Sequence, residues 1–91
     1  MEEKFLQALE AARLRADALG IRIRPVKDMA AAHRCLSAHR ESDGFWQLAD
    51  RKQLQLSLEA LAVQKQFTAL FNDEEANNAL TRLMDGGYTF K

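Results

Sequence analysis

The sequence predicts a mainly α-helical single small domain over residues 1–91. Three observations lead there. Apolar residues recur at steps of three and four along most of the chain, glycine and proline interrupt it at few points, and the period-two alternation of a strand occurs in one short stretch only. The expected architecture is four helices with a minor two-stranded β-ribbon that pairs Ile21–Val26 with Tyr88–Phe90.

The first helix is expected from Glu2 to Leu19, where Phe5, Leu9, Ala12, Ala16 and Leu19 fall on one face. Glu2 and Glu3 suit its positive N-terminal end, and Gly20 suits a left-handed residue just past the other. Ile21 to Val26 then alternates apolar with basic. Pro25 disfavours helical geometry at Arg24 and offers no N–H, so the segment reads as a short edge strand. Asp28 is a fair N-cap for a second helix in which Met29, Ala32 and Leu36 share a face.

After the loop Arg40–Gly44, Ser42 or Asp43 can cap a third helix reaching Phe71. A continuous rod from Phe45 to Phe71 would span about 40 Å, which is long for so small a domain, so a kink or break is expected near Asp50–Gln53. Its apolar positions fall into two groups. Phe45, Leu56, Ala60, Val63, Phe67, Leu70 and Phe71 form a wide stripe, and Leu54, Leu58 and Leu61 form a second on another side. The fourth helix follows a capping-box pattern, Asn72 with Glu75, and carries Ala76, Ala79, Leu80, Leu83 and Met84 at helical spacing until Asp85-Gly86-Gly87 ends it.

Composition narrows the function classes. Hydrophobic residues make up 47 % and charged residues 29 %, which is ordinary for a folded domain. Lys plus Arg equals Asp plus Glu at 13 each, so no whole-molecule field draws in nucleic acid or an anionic membrane. No apolar run approaches the ~20 residues of a membrane span, and the acidic, amphipathic amino terminus lacks the form of a secretory signal. One cysteine, Cys35, forms no internal disulfide, and a cytoplasmic location is expected.

Chemistry-bearing motifs are few. His33, Cys35 and His39 lie close in sequence, but on a helix His33 points about 200° from Cys35, and neither CxxC nor HExxH adds further ligands. Cys35 lacks the signals of an activated nucleophile. The carboxylates at Glu2-Glu3 and Asp73-Glu74-Glu75 fit helix starts. No metal, cofactor, membrane or small-molecule substrate is therefore inferred, and the expected function is not enzymatic.

The leading expectation is a protein-interaction or regulatory module, self-associating or binding another protein through the doubly apolar third helix. Two coverings of the second stripe are expected: either the third helix is central in its own domain, with the first and last helices on different sides, or Leu54, Leu58 and Leu61 form that interface together with Phe45 and Trp46, since aromatic residues are enriched at such surfaces. Covering three leucines contributes about 5 to 8 kcal/mol before association costs. The alternative is a nucleic-acid-binding accessory protein. Between Arg13 and Arg40, seven basic residues face only Asp17 and Asp28, and Arg22, Arg24, Lys27 and Arg34 would be the contacts.

Overall fold

The computed structural model describes residues 1–88. It is mainly helical, with α1 (Glu2–Ala18), α2 (Met29–Ser37), α3 (Phe45–Asp50), α4 (Leu58–Ala62) and α5 (Asp73–Asp85), and with 3₁₀ turns at Leu54–Leu56 and Thr68–Leu70. Among the described residues five α-helices thus stand where four are expected. No helix of the described residues is long and apolar enough to cross a membrane.

Helix α1 buries Phe5, Leu9, Ala12 and Ala16 as its spacing predicts. Leu19, the C-cap, stays partly exposed. Beyond it Gly20 takes φ +85°, and the amides of Gly20 and Ile21 return to the carbonyls of Asp17 and Ala16. This is a Schellman ending, which turns the chain sharply and drives Ile21 into the core.

The segment after Ile21 is the first correction. Among the described residues it forms no strand, so the expected ribbon is not seen, and the part of Tyr88–Phe90 beyond Tyr88 lies outside the described residues. The in-and-out alternation survives without sheet pairing: Ile21 is buried, Ile23 packs partly against the core, and Arg22 and Arg24 face water. Asp28 then caps α2 by accepting the Ala31 N–H at 2.9 Å, as its position predicts.

The second correction concerns residues 45–71. The longest dimension of the fold is 30 Å, so a rod of about 40 Å has no place in it. The chain breaks where a break is expected, at Asp50–Gln53. Lys52 adopts φ +58°, and the amides of Lys52 and Gln53 close back on Ala49 and Leu48, ending α3 with the same Schellman geometry as α1. Ser57 restarts the helix by accepting the Ala60 N–H while donating to the Leu54 carbonyl. The cap of α3 is Gly44, because Ser42 and Asp43 are engaged elsewhere.

With the rod broken, the two apolar stripes need no outside covering. Every residue of α4 is buried, and Leu54, Leu58 and Leu61 are 4 %, 5 % and 7 % exposed within the single chain. Of the two coverings expected for these leucines, the domain's own core supplies one. Phe45 is also buried, whereas Trp46 is 49 % exposed. Across the core Phe5 meets Phe67 and Phe71 edge to face, with ring centroids 5.1 and 5.0 Å apart.

In α5 the capping box forms as its sequence predicts, with Asn72 and Glu75 exchanging hydrogen bonds of 2.8 and 3.0 Å. The buried face differs from the one predicted. Glu75, Ala79, Arg82 and Leu83 turn inward, and Leu80 and Met84 turn out. The cause is a polar seam between α5 and α2 that the apolar period alone does not reveal.

Candidate functional site

The seam is built from residues at i, i+3 and i+7 on α5. Glu75 faces His33, whose Nδ1 lies 2.7 Å from its Oε2. Asn78 Nδ2 donates to the Leu36 carbonyl at 2.9 Å. Arg82 donates to the carbonyls of Cys35, Leu36 and Ala38 at 3.0, 3.4 and 2.6 Å, and to Glu59 at 3.1 Å. A cation thus stands at the negative C-terminal end of α2, where the macrodipole favours it.

Glu59 is fully buried on α4 and collects three donors: the guanidinium of Arg82, and the N–H and Oγ–H of Ser42. Among the described residues no buried side-chain nitrogen or oxygen lacks a partner. One buried ion pair therefore grips the loop between α2 and α3 at both ends, at Ala38 and at Ser42.

That loop is one wall of a groove of about 580 Å³. Helix α1 supplies Leu9, Glu10 and Arg13, and the segment after Ile21 supplies Ile23, Arg24, Pro25 and Val26. Helix α2 adds Ala31, Arg34 and Cys35, positions that share one helical face, while Leu56 and Leu58 lie in the floor. Arg40, Glu41, Ser42 and Asp43 complete the rim. The volume is that of an ordinary ligand pocket, and the lining combines an apolar base with charged walls.

The charges are unevenly matched. Arg13 is paired with Glu10, Nε to Oε1 at 2.7 Å, and this hydrogen bond lowers the Glu10 carboxyl below its ordinary value and raises the Arg13 guanidinium. Asp43 accepts the backbone N–H of Arg24 at 2.8 Å, and Glu41 accepts the Trp46 indole N–H at 3.2 Å. The guanidinium groups of Arg24, Arg34 and Arg40 have no ion-pair or hydrogen-bond partner among the described residues. Cys35 is half-buried beside them. Burial pushes its thiol up, with the nearby Glu59 charge adding to the shift and Arg82 opposing it. A thiol held neutral in this way is a poor nucleophile.

Of the candidate basic contacts, Arg24 and Arg34 meet in the groove, while Arg22 and Lys27 lie outside its lining. Arg13 and Arg40, counted in the basic segment but not singled out, join them. His33 turns toward α5 and edges onto Phe71 at 5.3 Å, away from Cys35, and among the described residues no group of three His, Cys, Asp or Glu could hold a metal ion. Sequence reasoning missed Glu59 and Arg82. The signal was there: a carboxylate inside the apolar run Leu58–Ala62 needs a buried cation, and Arg82 sits on the face of α5 shared by Ala79 and Leu83.

No protein-family model matches the chain, and no curated protein or solved structure matches it.

Proposed function

We propose that the protein is a non-enzymatic protein-interaction module whose recognition face is this groove. The observation that carries the reading is the set of three unpartnered guanidinium groups, Arg24, Arg34 and Arg40, around an apolar floor. Guanidinium forks next to apolar surface are what protein interfaces concentrate. The partner is another protein rather than a second copy held by the leucines, because Leu54, Leu58 and Leu61 are already spent in the core. A cytoplasmic setting suits the single free thiol of Cys35.

The test is affinity capture from the native host with two baits, the wild-type chain and an Arg34→Glu/Arg40→Glu variant shown by circular dichroism to be folded. Proteins retained by the first bait and lost by the second support the groove. Identical sets on both baits overturn it.

A further inference from the structure

We infer that the groove receives an acidic peptide segment, one that places apolar side chains on the floor and carboxylates against Arg24, Arg34 and Arg40. The inference rests on the protein-interaction reading and adds the chemistry of the partner.

Charge is the first ground. The groove's own acids are held in place, Glu10 by Arg13, Asp43 by the Arg24 N–H and Glu41 by the Trp46 indole, and the lining sets four guanidinium groups against these three carboxylates. The three open forks each match a carboxylate bidentately. A single exposed pair of this kind contributes little, so affinity has to come from several forks acting with apolar contact. Ile23, Pro25, Val26 and Ala31, which keep exposed surface on the groove, provide that contact.

The backbone of the wall is the second ground. Among the described residues, the N–H groups of Arg22, Ile23, Val26 and Lys27 and the carbonyls of residues 22–27 make no hydrogen bond. Ile23, Pro25 and Val26 nevertheless border the groove. A run of unpaired main-chain groups beside a groove is what an incoming extended segment pairs with, and its alternate side chains then reach floor and rim in turn.

A polyphosphate strand fits less well. Three carboxylates stand among the lining residues, and no aromatic face lines the groove to stack bases. A peptide separates its carboxylates with apolar residues, so they can meet the three forks and stay clear of Glu41 and Asp43, and it needs no stacking face.

The experiment uses fluorescence anisotropy of labelled ten-residue peptides alternating Leu with Glu, Leu with Ser and Leu with Lys, together with a 20-nucleotide single-stranded RNA, at 50 and 200 mM salt. We expect the Leu/Glu peptide to bind at least tenfold more tightly than the others and to weaken severalfold at the higher salt. Arg34→Gln/Arg40→Gln should lower its affinity at least tenfold, while Arg15→Gln/Arg22→Gln, outside the lining, should leave it unchanged. Equal binding of the Leu/Ser peptide, or equal loss in both variants, overturns the acidic specificity and leaves the groove as an interaction surface. Failure of every peptide, while the groove variant still loses captured proteins, overturns this inference alone. RNA binding that the groove variant abolishes overturns both readings.

Discussion

The Glu59 carboxylate and the Arg82 guanidinium meet at 3.1 Å with both side chains withdrawn from water. Removing one partner strands the other, and the cost of an uncompensated buried charge is about 3 to 5 kcal/mol. Glu59→Met and Arg82→Met should each destabilise the domain by about that much in urea unfolding. The Glu59→Met/Arg82→Met double variant should lose far less than the two single losses together, because no charge is left behind. Full additivity would show that the pair is not coupled.

Leu58 opens the buried α4 and is 5 % exposed. Glutamate there gives up the leucine's packing and costs the desolvation of a charge, so Leu58→Glu should abolish cooperative unfolding. Light scattering and circular dichroism distinguish the alternatives. A folded, smaller species would mean that Leu58 had been holding two copies together, whereas an unfolded chain at every concentration places it in the core.

Lys52 holds a left-handed conformation that a side chain disfavours by about 1 to 2 kcal/mol, and its side chain is exposed. Lys52→Gly relieves that strain and concedes some unfolded-chain entropy. The midpoint of urea unfolding should rise by the equivalent of about 0.5 to 1 kcal/mol. A fall would mean that the lysine side chain contributes contacts of its own.

Cys35 should alkylate slowly. Burial holds the thiol above its ordinary value, so at pH 8 iodoacetamide should react several times more slowly with the folded protein than with the same chain in urea. The sign for stability follows. Above the unfolded thiol value the folded state keeps a proton that the unfolded state gives up, so stability falls as pH rises through the folded value and is insensitive to this group below the unfolded one. Cys35→Ser should remove that alkaline slope.

Local signals were legible where one residue sufficed to write them. Gly20 marks the end of α1, Asp28 the start of α2, and Asn72 with Glu75 the start of α5, each through a hydrogen bond to its own neighbourhood. The stretch after Phe45 was legible only in part: its length called for the break at Asp50–Gln53, but periodicity assumes one axis. Lys52 turns the chain without a glycine to announce it, and the leucines of a short helix buried on every side read as a second stripe on a longer one. In the groove, Arg24 and Arg34 were visible as charge excess. Their meeting with Arg13 and Arg40 depends on how the α2–α3 loop folds back, and that is set by Glu59 and Arg82 from other helices.

The hold of Arg82 on Ala38, and of Glu59 on Ser42, ties the shape of the rim to the integrity of the interior. Substitutions that weaken binding in the proposed groove should therefore fall into two spatial sets, one among the exposed arginines and one at the buried Glu59 and Arg82. The second set will be distinguishable from the first only because it also lowers the melting temperature.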